Sequence, residues 1–140
     1  MPNFIIKTHQ KNTVYKGNQI FILNKGMNSG KPQKEPFPNS FVILFQNEGD
    51  TETVYWLAYS LWKARFWHQS LVGSAIPFLR IDDFKKDFNS KVDEMLQEHD
   101  LHQKQVQALR LLEQKEDQLH KNINLINEMR RAILNRYCRK

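Results

Sequence analysis

The last third of the chain contains no glycine and no proline from Ser90 to Lys140, and this restricts the folds that are open to it. Ser90-Lys91-Val92-Asp93 has the form of a capping box, so a helix is expected to begin there. A continuous helix of about 48 residues would extend about 70 Å, which a small domain cannot bury. The sequence therefore predicts a head at residues 1–89 and a long helix at residues 90–140.

Apolar residues recur along this helix at the heptad spacing of a coiled coil. Leu109 starts the a positions and Leu112 the d positions, with Glu116 and Arg130 as charged exceptions at a. The pattern predicts an interface for a second copy or another partner, formed by Leu109, Leu112, Leu119, Ile123, Ile126, Ile133 and Tyr137. The seam weakens before Leu109, so the alternative is a break at His99–Lys104 that folds two helices back as a hairpin within the chain.

Short apolar runs separated by turn-forming residues characterise the first third of the chain. They predict strands at Phe4–Lys7, Gln19–Asn24 and Ser40–Phe45. A poor alternation of apolar and polar residues in the second run indicates a strand that is buried on both faces.

An aromatic helix is predicted next, with Thr51 as its N-cap and its end near Leu71. Aromatic residues recur in it at spacings of four, three and four, at Tyr55, Tyr59, Trp62 and Phe66. A stripe at helical spacing is typical of a core face, so we expect these rings in the core rather than on a base-stacking surface. With a further strand at Ala75–Ile81, the expected fold is α+β, a small mixed sheet packed on the aromatic helix.

The positive charge is concentrated at the start of the chain. The net charge is +6, and residues 1–46 hold six lysines against one glutamate. Such a distribution favours an anionic partner. The loop from Gly26 to Lys31 is rich in Gly, Asn, Ser and Lys and can place amides and ammonium groups against nucleic-acid phosphates.

Catalytic and metal-binding patterns have little support in the sequence. Gly26–Lys31 lacks the glycine spacing and the Ser/Thr of a nucleotide-binding phosphate loop. His99 and His102 have no matching carboxylate pattern, and Cys138 has no nearby histidine in sequence. We expect no enzyme, cofactor or metal. The single cysteine, and the absence of a signal-peptide pattern or a long apolar stretch, predict a cytoplasmic protein with no membrane partner.

The segment from Gly73 to Phe84, preceded by the aromatic helix, resembles the end of a target-recognition domain of type I restriction-modification specificity subunits. The shared order is an aromatic helix, Gly-Ser-Ala-Ile-Pro, an Asp-Phe pair and a long spacer helix. The segments Asn24–Pro32 and Pro36–Val42 are also similar to an uncharacterised family of short proteins from Bacteroidetes and their mobile elements.

The resemblance implies a DNA-recognition head on a spacer helix. With one head per chain, two copies would associate through their helices. We therefore expect a homodimeric, non-enzymatic module that binds duplex DNA, with a restriction or methylation complex as a possible partner. The expected nucleic-acid contacts are Lys16, Lys25, Asn28, Ser29, Lys31, Lys34, Ser74 and Arg80. The alternative is an adaptor or inhibitor that docks on a partner complex through the long helix without binding DNA.

Overall fold

The structure is a computed structural model that describes residues 3–139. Its elements are the strands β1 (Phe4–Thr8), β2 (Asn18–Leu23), β3 (Pro32–Gln33) and β4 (Ser40–Phe45), and the helices α1 (Glu48–Lys63), α2 (Ile81–Gln97) and α3 (His99–Asn135). Short 3₁₀ helices follow α1 at Phe66–Ser70 and α3 at Arg136–Cys138. The expected α+β class is confirmed.

The four strands form one sheet in the order β1-β4-β2-β3. Every strand pair is antiparallel, so the sheet is antiparallel where a mixed one was expected. The register sets Ile43 of β4 between Ile6 of β1 and Ile20 of β2. Since side chains alternate between the two faces of a strand, these three isoleucines point to the same face.

Two helices cover that face of the sheet and complete the core. Helix α1 contributes Val54, Ala58 and Leu61, and α2 contributes Phe84 and Phe88. The Phe84 and Phe88 rings are stacked with their centroids 5.0 Å apart. Full burial of a side chain of this size contributes about 1.5–3 kcal/mol, so these residues are central to the stability of the head.

The opposite face of the sheet is covered by the loop between β1 and β2. Phe21 and Val42 are buried there, as expected for a strand that is buried on both faces. The ring of His9 meets Phe21 edge-on at 5.1 Å, and the ring of Tyr15 lies 6.3 Å from it. The Gln10 backbone N–H donates a hydrogen bond to the Tyr15 hydroxyl at 3.2 Å, which fixes the loop over the sheet.

Helix α1 differs from expectation in its bounds and in its buried face. Its N-cap is Asn47, and Thr51 lies inside the helix, where its hydroxyl donates to the Asn47 carbonyl at 3.4 Å. The helix ends at Lys63 and a separate 3₁₀ helix follows. The predicted core stripe was wrong in part, because Tyr55, Tyr59, Trp62 and Phe66 are only half-buried. The core residues of α1 lie one position along the sequence, about 100° around the helix.

The segment from Ala75 to Ile81 is a loop and the beginning of α2 rather than a strand. Gly73 adopts a φ of 97°, and the chain then makes only isolated bridges through Phe78. Ser90 lies within α2 and is exposed, so the expected capping box at Ser90 was wrong. The helices separate at Glu98, one residue before the segment in which a break was predicted.

Two compact units divide the chain: residues up to His99, called the head below, and residues from Asp100 onward. Residues 1–89 had been expected as the head, and the difference arises because the core side chains of α2 continue to Met95. In the second unit every residue from Gln114 to Arg139 is exposed, including the expected seam residues from Leu119 to Tyr137, whereas Leu109 is half-buried. Within residues 3–139, no helix has the length and apolar character that crossing a membrane requires.

Candidate nucleic-acid interface

The edge strand β3 places two lysines beside α1. Lys31 directly precedes β3 and Lys34 directly follows it, and β3 forms the edge of the sheet next to β2. Pro32 is tolerated there because an edge strand leaves one of its sides without ladder hydrogen bonds. The two lysines are therefore held by a short piece of regular structure rather than by a free loop.

Aromatic rings of α1 lie under these lysines. Tyr55, Tyr59 and Trp62 form one stripe of the helix because they are spaced by four and three residues. The Lys34 Nζ lies 5.3 Å from the Tyr55 ring centroid, and the Lys31 Nζ lies 5.3 Å from that of Trp62. The Lys63 Nζ lies 4.9 Å from the Trp62 ring and 5.7 Å from the Tyr59 ring. We call these three lysines and three rings the lysine–aromatic surface.

Neighbouring rings support one another along this stripe. Trp56, which is buried, lies edge-on to Tyr55 at 5.8 Å and to Tyr59 at 5.3 Å, and Tyr59 meets Trp62 at 5.8 Å. Edge-to-face pairs at these distances are favourable. The rings therefore form an ordered base on which the ammonium groups rest.

A basic cleft adjoins the Trp62 end of this surface. Its volume is about 380 Å³, and its lining residues are Met27, Asn28, Trp62, Lys63, Arg65 and His68. The His68 Nε2–H donates to the Met27 carbonyl at 3.1 Å, which joins the 3₁₀ helix to the turn before β3. Lys63 and Arg65 make this cleft attractive to an anion.

Arg65 has an unusual backbone conformation. Its φ of 58° and ψ of 32° are left-handed, a region in which a non-glycine residue costs about 1–3 kcal/mol. The Arg65 N–H donates to the Trp62 carbonyl at 3.0 Å, so the turn that ends α1 is hydrogen-bonded. A glycine would adopt this turn without strain, but it would remove the guanidinium group from the cleft.

A second cleft, of about 450 Å³, lies at the Tyr55 end. Lys34, Tyr55 and Trp56 line it, but so do Glu48 and Glu52. Two carboxylates oppose the binding of phosphate. The charges therefore favour the Trp62 end of the surface for an anionic ligand.

The turn before β3 is closed by its own hydrogen bonds. The Ser29 hydroxyl donates to the Gly26 carbonyl at 2.6 Å, and the Ser29 side chain is buried. Gly30, with a φ of 98°, packs directly against the Trp67 indole. The expected nucleic-acid contact Ser29 is thus held within the turn by its own hydrogen bond.

Some of the other residues that were expected to contact nucleic acid belong to this surface or the cleft, and the rest lie outside both. Asn28 lines the basic cleft, and Lys31 and Lys34 belong to the lysine–aromatic surface. Lys25 lies in a backbone bridge with Phe78, and the Leu79 N–H donates a hydrogen bond to the Asn24 carbonyl at 2.8 Å. The turn that bears Lys25 is therefore paired with the loop that follows Gly73. Lys16, Ser74 and Arg80 are exposed and lie outside both the lysine–aromatic surface and the residues that line the basic cleft.

Sequence reasoning missed the contribution of the C-terminal end of α1. Tyr55, Tyr59 and Trp62 were assigned to the core, while Lys63 and Arg65 were not selected. The available signal was a basic pair directly after an aromatic helix, Lys63-Ala64-Arg65. Among the described residues 3–139, no group of three or more His, Cys, Asp or Glu side chains is arranged to hold a metal ion.

A family match covers nearly all of the chain, from residue 6 to residue 136. The chain belongs to DUF6943, a family of unknown function. This agrees with the expected membership of an uncharacterised family, and the DUF6943 match includes the lysine–aromatic surface, the basic cleft and all of α3. No match was found among the curated proteins or among the solved structures.

Proposed function

We propose that the head is a non-enzymatic nucleic-acid-binding module that holds duplex DNA by its phosphates. The observation that carries the proposal is the lysine–aromatic surface, in which three ammonium groups rest on the rings of one helical stripe. The basic cleft with Lys63 and Arg65 extends this surface.

Contacts with the aromatic rings order the lysine side chains before a ligand binds. A free lysine loses about 1.5–2 kcal/mol of side-chain entropy when it is ordered. A cation–π contact at a surface site contributes about 0.5–1 kcal/mol, so part of this ordering is present before a ligand arrives. Lysine contacts to phosphate position a protein on DNA without selecting a sequence. The proposed activity is therefore backbone binding with strong salt dependence.

A place within a restriction or methylation complex is a further step. It rests on the sequence resemblance of Gly73–Phe84 to specificity subunits. The part of this segment before α2 is a loop that pairs with the backbone of Asn24–Gly26 and so lies beside the turn that bears Lys25. The loop is thus able to contribute to the same face of the head.

Fluorescence anisotropy with a labelled duplex tests the proposal. We expect the wild-type chain to bind at low micromolar concentration in about 50 mM salt, with affinity falling steeply as salt rises. Lys31→Gln/Lys34→Gln/Lys63→Gln is expected to lower the slope of log affinity against log salt by about 2.5–3, close to 0.9 for each lost phosphate contact.

A control variant separates this surface from net charge. Lys11→Gln/Lys85→Gln/Lys86→Gln removes the same number of charges at exposed positions outside the lysine–aromatic surface. If both triple variants lose the same affinity, or if wild type shows no binding at about 10 µM protein in about 50 mM salt, the proposal is wrong.

The exposed seam of α3 favours a second candidate function, an adaptor or inhibitor that docks on a partner complex through this helix. It predicts no affinity of the head for DNA. It also predicts that Leu119→Asp/Ile126→Asp abolishes capture of the partner, whereas the triple lysine variant captures it normally.

A further inference from the structure

The seam of α3 has an uneven distribution of charge. Leu119, Ile123, Ile126 and Ile133 are each more than half exposed. At the positions that flank the seam, the first half carries Glu113 and Lys115 and the second half carries Arg136. The charged residues at seam positions themselves are Glu116 and Arg130.

Neither charge is strongly paired within its own chain. Glu116 lies near His120, with an N···O distance of 3.9 Å, and Arg130 donates to the Asn127 side-chain oxygen at 3.4 Å. Both interactions are on the exposed surface of the helix and contribute little. The two side chains are thus available to a partner helix.

A parallel pair of helices in register would set Glu116 against the partner's Glu116 and Arg130 against the partner's Arg130. Like charges juxtaposed at an interface are costly. An antiparallel pair instead brings Glu116 of each helix near Arg130 of the other. The two charges within the seam therefore favour the antiparallel orientation for a pair of copies.

We propose that α3 associates with α3 of a second copy of the chain as an antiparallel pair, with Ile123 opposite the partner's Ile126. In antiparallel coiled coils a positions face d positions, so Leu119 faces the partner's Arg130 and Glu116 faces the partner's Ile133. Glu116 and the partner's Arg130 are then in neighbouring layers, about 4.5 Å apart along the axis, and they meet twice by symmetry. The pairing does not rest on DNA binding by the head.

An alternative register shifts the overlap of the two helices by one heptad toward their N-terminal ends. In that register Leu109 enters the end of the interface and Tyr137 leaves it. Leu109 is already half-buried within the chain, whereas Tyr137 is 84% exposed. The shift would also separate Glu116 from the partner's Arg130 by about 6 Å along the axis. The proposed register therefore uses the surface that is exposed and pairs its charges more closely.

The single cysteine provides a direct test with the wild-type chain. Cys138 is exposed, and a spin label on it is outside the seam. In the proposed pair the two labelled residues are about 27 residues apart along the axis, or about 40 Å, and the register shifted by one heptad gives about 50 Å. A parallel pair brings them within about 20 Å, since adjacent helices are only about 10 Å apart. A distance near 40 Å by pulsed electron resonance is expected, and a distance under 20 Å or near 50 Å overturns the proposed pairing.

Charge exchange gives an independent test. Glu116→Arg and Arg130→Glu are each expected to raise the dimer Kd about tenfold in sedimentation equilibrium, and the double exchange to restore it to within about threefold. Glu128→Arg and Lys121→Glu are matched controls, because both side chains are exposed and lie at the outer f position. A chain that stays monomeric at about 200 µM overturns self-association and favours the adaptor function. If neither single variant raises the dimer Kd, or if the double exchange does not restore it, the antiparallel pairing is overturned. This outcome is independent of whether the head binds DNA.

Discussion

The head and the second half of α3 use similar apolar side chains in opposite ways. In the head, Ile20 and Ile22 are fully buried between the sheet and its helices. In α3, Ile126 and Ile133 keep more than half of their surface exposed. Burial of such a side chain contributes about 1.5–3 kcal/mol, which the head gains from its own chain and these residues of α3 do not. The comparison teaches that one sequence can hold a unit with its own core and a helix whose apolar stripe is open to solvent.

Truncation of Phe84 tests the self-sufficiency of the head with the largest expected effect. Phe84 is fully buried and lies 4.9 Å from Trp67 and 5.2 Å from Phe41 between ring centroids. Phe84→Ala is expected to lower the free energy of unfolding by about 3–5 kcal/mol in urea denaturation followed by tryptophan fluorescence. Leu125→Ala, at an exposed position of α3 outside the heptad seam, is the control. It is expected to lower the free energy of unfolding by less than about 0.5 kcal/mol. Equal losses for both variants would remove the contrast.

Gly30 tests how tightly the turn before β3 is tied to the core. A Cβ there would overlap the Trp67 indole, with Nε1 at 2.8 Å, and Trp67 is fully buried. Gly30→Ala is expected to lower the free energy of unfolding by about 2–4 kcal/mol. Gly26→Ala is the matched control, because Gly26 has a similar φ of 94° but open space around its Cβ. The difference between the two variants measures the steric part, and no difference would contradict close packing of the turn.

Disruption of the seam tests the dependence of α3 on a partner. Leu119→Asp/Ile126→Asp places carboxylates at two d positions and is expected to weaken self-association at least about 100-fold. Since helical stability comes mostly from packing, the far-ultraviolet helix signal of dilute samples should fall while tryptophan fluorescence of the head is unchanged. Concentration-independent helicity in the wild-type chain would show that α3 needs no partner.

Replacement of Arg65 is expected to have the smallest effects, an increase in stability and a decrease in affinity for DNA. Arg65→Gly relieves the left-handed strain and is expected to raise the free energy of unfolding by up to about 1 kcal/mol. The same change removes a cation from the basic cleft, so affinity for duplex DNA should fall about threefold to tenfold. Lys11→Gln, at an exposed position outside that cleft, is the control for loss of charge. A gain in stability with unchanged affinity would exclude the cleft from the interface.

The regular elements of the head could be predicted because they follow from local patterns. Apolar runs between turn residues correctly indicate β1, β2 and β4, and the absence of glycine and proline indicates a long helix. The orientation of α1 could not be predicted, since apolar residues occupy most of its circumference. Whether Val54 or Tyr55 faces the sheet depends on packing with distant elements, and the answer decides which side carries the rings.

The candidate interface was predictable only in part. Lys31 and Lys34 belong to the basic first third and were selected on charge. Lys63 ends α1 and Arg65 follows it, and both join the same surface only because β3 pairs with β2 and lies beside that helix. No local pattern reports such a juxtaposition. The strand expected at Ala75–Ile81 failed for a related reason, since Gly73 and Pro77 favour a loop over a ladder.

The tyrosine in the loop between β1 and β2 has a consequence for how the whole chain meets other molecules. By lying over Phe21 with its hydroxyl held by the Gln10 backbone, Tyr15 replaces the second layer that a small sheet ordinarily obtains from a partner. The covered face of the sheet therefore presents no broad apolar surface to a neighbouring molecule. In the proposed pairing the contacts between copies lie on α3, so heptads could be added to or removed from that helix without changing the residues that cover the sheet.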